Sequence, residues 1–129
     1  MNKVIITGRL TRDPELKYLP TSGTAVANFG MAVDKDLSRK KKQELEEGNQ
    51  ATADFLNIIV WQETAEFAAN NLYKGQRIGI EGRIESRSWK TQDGSTKTIV
   101  EIKAERIEPY EWRKADTDFT PTTEKTPWA

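Results

Sequence analysis

Two aromatic residues on one face of an apolar strand, and a third on the charged face of another strand, are the residues of this chain whose types and spacing could do chemistry. Phe55 and Trp61 lie in one run rich in β-branched and aromatic side chains, which predicts a strand. Because successive strand side chains point to opposite faces, both would share one face, about 20 Å apart. Trp89 lies in a second alternating run, in phase with Arg83 and Arg87. Such rings can stack on nucleobases while such cations neutralise phosphates.

The same aromatic residues could instead belong to the core or to a protein interface. Each ring could be a core residue, because strands in barrels can bury either face at different points along their length. Trp89 is the clearest case against a core position, since burying it would also bury Arg83 and Arg87 at a high cost. Exposed tryptophan and arginine can equally form a protein interface.

Composition argues against catalysis and against a metal or cofactor. The chain has no cysteine and no histidine, which removes thiol and imidazole nucleophiles and the usual zinc ligands. A nuclease or hydrolase that relies on surface carboxylates is the weakest alternative, because no carboxylate pair stands out among the 20 acidic residues. No apolar run approaches the length of a membrane span. Net charge is zero, so the distribution of charge matters more than its sum.

The elements that must position these residues are predicted as five strands and one helix. The strands cover 4–10, 24–33, 54–61, 77–89 and 96–107, and the helix covers 63–73. Asp93-Gly94 is a turn signal between the last two strands, while residues 13–23 and 34–53 are predicted as connections. A helix between the third and fourth strands is the order of an OB-fold, whose strand 2–3 face binds oligonucleotides. The fold class predicted is therefore mainly β, a five-stranded OB-fold barrel with one short helix.

The domain boundary is placed where composition changes. Residues 1–110 are predicted to form the OB-fold domain. Residues 111–129 are rich in threonine and proline, which is typical of a short disordered tail.

A series of short motifs also runs through residues 1–110 in a specific order. They include Met1-Asn2-Lys3-Val4, Gly8-Arg9-Leu10, Val26-Ala27-Asn28-Phe29, Leu72-Tyr73-Lys74-Gly75, Glu81-Gly82-Arg83-Ile84 and Arg87-Ser88-Trp89. In this order the chain resembles the bacterial single-stranded DNA-binding (SSB) proteins. The resemblance implies an OB-fold, usually a homotetramer, that coats single-stranded DNA in replication, recombination and repair. Because the chain has no cysteine, a reducing cytoplasm is the expected location, in a bacterium or in the bacterial host of a phage or mobile element.

The resemblance also implies site residues. The stacking aromatics of the family fall on Phe55, Trp61 and Trp89. Lys74 matches a basic position of the family, and the other predicted phosphate contacts are Lys3, Arg9, Arg83 and Arg87. A candidate basic loop adds Arg39, Lys40, Lys41 and Lys42.

Two departures from the family pattern lead to expectations of their own. A fourth aromatic is common in the family where this chain has Leu37, so one stacking position is expected to be lost. The family tail usually ends in an acidic tip closed by Pro-Phe, which docks replication and repair enzymes. Here the candidate docking residues are Asp116, Asp118, Phe119 and Trp128. We expect weakened or altered docking, as in a phage or mobile-element protein.

The leading hypothesis is thus a DNA-coating module that needs no cofactor. The alternative is an OB-fold accessory subunit of a replication or primosome assembly, whose exposed aromatics bind protein. Loss of Trp61 and Trp89 would impair DNA binding in the first case and assembly in the second.

Overall fold

The computed structural model describes residues 1–112, which form six strands and two helices. In chain order these are β1 (Val4–Leu10), β2 (Glu15–Tyr18), β3 (Ala25–Asp34), α1 (Arg39–Glu47), β4 (Ala53–Trp61), α2 (Gln62–Asn71), β5 (Arg77–Lys90) and β6 (Thr96–Pro109). All five predicted strands and the predicted helix are present, with bounds that differ by at most two residues.

The strands form one sheet that closes into a ring. Their order is β1-β5-β6-β4-β3-β2, and β1 also pairs with β3, which joins the two ends of the five main strands. At this closure Arg9 lies opposite Ala32 and Leu10 opposite Met31. The predicted mainly β, OB-fold arrangement is confirmed.

One face of every main strand supplies the core inside the ring. On β3 the buried residues Ala27, Phe29 and Met31 alternate, as the period of a strand requires. Ile58 and Val60 of β4 and Ile78 and Ile80 of β5 continue this inner face. Helix α2 packs against the same core through residues at helical spacing: Ala65, Ala68 and Leu72 just after its end.

Two elements were not predicted, so the counts of five strands and one helix need correction. Strand β2 lies in a segment predicted as a loop, and it pairs with β3 from Glu15 opposite Asn28 to Tyr18 opposite Ala25. Four residues are too short for a clear period, so only the partner strand defines β2. Helix α1 lies in the segment predicted as a polar connection. It buries no residue, so no apolar stripe signals it.

Strands β5 and β6 continue beyond the ring as a two-stranded arm, which we define as residues 84–101. The pairing of β5 with β1 ends where Val4 lies opposite Gly82. Beyond that point the inner face of the arm has no covering layer. Ile84 shares the phase of the buried Ile78 and Ile80, but without such a layer it is 49% exposed. The arm turns at Gly94, whose positive φ of 87° explains the Asp-Gly signal.

Candidate nucleic-acid interface

The outer face of β3 and β4 carries the first two predicted aromatics. Phe55 lies opposite Ala32 and Trp61 opposite Val26. Directly opposed residues of an antiparallel pair share a face, and this face is opposite to the one that buries Ile58. Phe55 and Trp61 therefore both point away from the core.

The same outer face continues across β6 to β5. Ile59 of β4 is paired with Lys103 of β6, which in turn lies opposite Arg83 of β5. Along the arm, Arg87 lies opposite Ile99, and Trp89 opposite Lys97. The strand register thus brings Arg83, Arg87 and Trp89 onto the face that holds Phe55 and Trp61. We call this continuous surface the outer face.

The three rings differ in how much of each is open to solvent. Phe55 is 68% exposed and Trp89 is 44% exposed. Trp61 is partly buried, and α2 begins at the next residue. The alternative that Phe55 and Trp89 belong to the core is therefore wrong. All three rings face outward, at the positions where the family resemblance predicts stacking aromatics.

Arg87 is the cation most closely tied to an aromatic ring. Its guanidinium carbon lies 5.5 Å from the centre of the Trp89 ring, within the range of a cation–π contact. Its Nε donates to Oε1 of Glu101 at 2.8 Å, and Glu101 is only 8% exposed. This pair fixes the guanidinium beside Trp89, while most of the arginine side chain stays open to solvent.

Two other predicted phosphate contacts are partly neutralised by neighbouring carboxylates. Arg83 Nε lies 3.2 Å from Glu85 and 3.9 Å from Glu105. Lys3 Nζ lies 2.6 Å from Glu81. The hydrogen bond and charge of Glu81 raise the pKa of Lys3 above its ordinary 10.5, and the same pair lowers the pKa of Glu81 below 4.5.

Arg9 and Lys74 differ in how freely they present their charge. Arg9 lies opposite Ala32, which is also the partner of Phe55, so Arg9 borders the outer face. Its Nη1 donates to the Gly75 carbonyl at 2.9 Å and lies 3.5 Å from Glu111. The backbone N–H of Lys74 donates to Asp13, while its exposed side chain forms no salt bridge within residues 1–112.

The basic run lies on the connection between β3 and β4. Its four exposed residues occupy the first turn of α1: Arg39, Lys40, Lys41 and Lys42. The candidate docking residues of the tail lie outside the described residues: Asp116, Asp118, Phe119 and Trp128.

A groove of about 230 Å³ lies on the outer face and contains a cation that the sequence did not single out. Arg12 follows β1 in sequence, yet its Nη2 lies 3.3 Å from Oδ1 of Asn28 on β3. The groove is lined mainly by Arg12, Asn28, Asn57, Ile59, Arg87 and Glu101. No strand period includes Arg12, so only the closure of the ring reveals its position.

Within residues 1–112 no group of three or more acidic, histidine or cysteine side chains is arranged to hold a metal ion. Over the same range no helix has the length and apolar character needed to cross a membrane. The site is thus defined by aromatic rings, cations and amides.

An OB-type closed sheet with aromatic and arginine side chains on one exposed face defines the class of nucleic-acid-binding OB-fold proteins. Residues 1–110 match the family described as the Single-strand binding protein family. The chain belongs to this family.

Bacterial relatives agree with this assignment. The chain is 45% identical over 114 residues to Single-stranded DNA-binding protein 2 of Clostridium acetobutylicum, covering 88% of this chain and 80% of the relative. It is 44% identical over 112 residues to the single-stranded DNA-binding protein of Clostridium tetani, covering 87% and 72%. The protein of the same name from Oceanobacillus iheyensis is 42% identical over 108 residues, covering 84% and 62%.

Proposed function

We propose that this protein binds and coats single-stranded DNA largely independently of sequence. The observation that carries the proposal is the outer face, where Phe55, Trp61 and Trp89 project from one continuous sheet beside Arg87. Every base has a π-face, so stacking on these rings does not select a sequence, at about 1–3 kcal/mol per base. Membership in the Single-strand binding protein family supports the same activity.

Phosphate contacts complete the mechanism. Arg87 and Lys74 make the strongest of these contacts, because Arg87 retains free N–H donors and Lys74 has no salt bridge within residues 1–112. Lys3, Arg9 and Arg83 contribute less per charge, since carboxylates lie close to each. The basic turn of α1 adds a further, exposed positive charge. Binding weakens with salt, with a log–log slope of about −0.7 for each phosphate neutralised.

The wider role that we propose is protection of single-stranded DNA during replication, recombination and repair in the bacterial cytoplasm. Residues 1–110 serve as the DNA-binding domain, and residues 111–129 serve as a tail with altered docking of replication and repair proteins. A homotetramer is the proposed assembly. Sedimentation velocity tests it, because a mass other than four chains would contradict the tetramer without affecting the DNA-binding proposal.

The direct test of function is quenching of tryptophan fluorescence by oligo-dT at low and high salt. Strong quenching that weakens with salt is expected, because bases stack on Trp61 and Trp89. Trp61→Ala and Trp89→Ala each reduce the quenching and the affinity. Trp112→Phe is the matched control, since Trp112 follows β6 and belongs to none of the strands that form the outer face.

Absence of quenching by the wild-type protein at low salt would contradict the proposal. If both tryptophan variants also lost self-assembly, the exposed rings would instead serve a protein interface.

The bacterial relatives are named for DNA binding and not for a reaction.

A further inference from the structure

We propose that Arg12 and Arg87 together form a seat for a single phosphate of the bound strand, in the groove at the centre of the outer face. Asn28 and Glu101 act as positioning residues that orient the two guanidiniums. This inference rests on the proposed function and adds a site to it. The seat explains how the strand is held between the aromatic positions.

The sheet order places the two arginines on either side of β4. Arg12 lies over β3, where it contacts Asn28, and Arg87 lies on β5, where it contacts Glu101 of the neighbouring β6. Strands β3 and β6 flank β4, so they are separated by two strand spacings, about 10 Å. Both arginine side chains line the same groove, with Asn57 of β4 between them. One anion can therefore meet both.

Each guanidinium is held by one acceptor and keeps free donors. Arg12 donates through Nη2 to Asn28 at 3.3 Å, and Arg87 donates through Nε to Glu101 at 2.8 Å. A guanidinium has five N–H donors, so most remain available to phosphate oxygens. Because the contacts on the sheet already orient these long side chains, part of the entropy cost of binding is avoided. Arginine forks also match phosphate geometry.

The charge of the groove favours an anion. Its two arginines outweigh the single carboxylate of Glu101, which is shielded from solvent, and Asn28 and Asn57 are neutral. The outer-face positions next to the groove are aromatic. Phe55 lies two residues from Asn57, and Trp89 lies two residues from Arg87, each about 7 Å along its strand. A phosphate in the groove thus has stacking surfaces nearby for the bases that flank it.

The experiment measures oligo-dT affinity over a salt series for Arg12→Ala, Arg87→Ala and the double variant. Each single variant is expected to bind about threefold to tenfold more weakly at low salt. The log–log salt slope should stay close to the wild-type value in each single variant, because the remaining arginine still neutralises the phosphate. In the double variant the slope should become shallower by about 0.7, the value for one phosphate.

Arg106→Ala is the matched control for loss of one exposed arginine. Arg106 lines two other grooves, together with Glu81 and Phe67, and it does not line the groove of Arg12. We expect the oligo-dT affinity of Arg106→Ala to stay within about twofold of the wild-type value.

Two outcomes would overturn the seat. If each single variant lowered the slope by about 0.7 and the double variant by about 1.4, the arginines would contact separate phosphates. If Arg12→Ala bound like the wild type, Arg12 would have no role. In both cases binding by the wild-type protein persists, whereas failure of the wild type to bind would contradict the proposed function itself.

The positioning role of Asn28 has its own readout. Asn28→Ala should weaken oligo-dT binding about threefold in the wild-type background and have no effect in the Arg12→Ala background, because it acts only through Arg12. Equal losses in both backgrounds would contradict this role. Glu101→Gln keeps an acceptor for Arg87 Nε. In the Glu101→Gln background, Arg87→Ala should lower the oligo-dT affinity by the same factor as in the wild type, within twofold. Loss of that effect would show that the carboxylate charge is needed.

Discussion

Phe55 belongs to an exposed surface and contributes little to the stability of the fold. Its ring is on the outer face, opposite Ala32, and most of it is open to solvent. A ring in this position contributes little to folding, since little apolar area is removed from water. The strand fixes the position of the ring, and the exposed face of the ring can stack on a ligand.

Phe55→Ala should therefore separate binding from stability. We expect oligo-dT affinity to fall by about 1–3 kcal/mol, the value of one stacked base. The free energy of unfolding in urea should change by less than about 0.5 kcal/mol. Tyr18→Ala is the matched control, because Tyr18 is an exposed aromatic residue opposite the buried Ala25, on the other face of the sheet. A similar loss of affinity in Tyr18→Ala would contradict a specific role for the outer face.

The Lys3–Glu81 ion pair gives a pH-dependent prediction. Because the pKa of Glu81 is below 4.5 in the folded protein, the pair stabilises the fold above that pH. The stabilisation is lost as pH falls through the lowered pKa. At the alkaline end it is lost as pH rises through the raised pKa of Lys3, above 10.5.

Glu81→Gln should accordingly unfold at lower urea concentration than the wild type at neutral pH, and the difference should disappear in acid. Glu66→Gln removes the same charge from an exposed position of α2 and should show no such convergence. A difference that persisted in strong acid would mean that the glutamine variant perturbs packing rather than removing the ion pair.

At the scale of elements, α1 and the β5–β6 arm extend from the ring with few supporting contacts. Pairing of β5 with β6 along its whole length stabilises the arm. Helix α1 has no buried residue, and its basic first turn opposes the helix dipole, as do the acidic residues near its end. Its N-cap is Ser38, whose hydroxyl accepts from the Lys41 N–H at 3.1 Å. Local capping therefore dominates the stability of α1.

Ser38→Ala should destabilise α1 alone, by about 1 kcal/mol. Amide hydrogen exchange over residues 39–47 should accelerate about fivefold, because one kilocalorie per mole changes an opening equilibrium by that factor. Exchange in the ring strands should stay unchanged. Gln43→Ala, which keeps the cap, is the control. Faster exchange throughout β3 and β4 would show that α1 supports the ring after all.

At the scale of the whole molecule, closure of the ring depends on a close approach of β1 and β3. A Cβ atom on Gly8 would lie far inside contact distance of the Ala32 carbonyl oxygen, which is backbone and cannot rotate away. Only glycine permits the two strands to approach this closely. The same closure brings Arg9 and Arg12 toward the outer face.

Gly8→Ala should thus lower the free energy of unfolding by about 1–3 kcal/mol, as for other overpacked sites, in urea unfolding. Gly48→Ala is the control, since its φ is −89° and the nearest atom to a new Cβ would be 3.6 Å away. An unchanged midpoint in Gly8→Ala would mean that the ring can open at this point without cost.

The sequence by itself determined the main strands, helix α2 and the phase of Phe55, Trp61 and Trp89. These follow from local periodicity: the side chains of a strand alternate, and a tryptophan in phase with arginines cannot be buried cheaply. The motifs of residues 1–110 also indicated the family that the comparisons confirm.

Only the tertiary structure decided the rest. Strand β2 exists because β3 supplies hydrogen-bonding partners, and Ile84 is exposed because no layer covers the arm. Arg12 joins the outer face, and Glu101 comes to lie beneath Arg87, through contacts between residues far apart in sequence. No local period records such contacts, because the closure of β1 on β3 fixes the first and the register of β5 with β6 fixes the second.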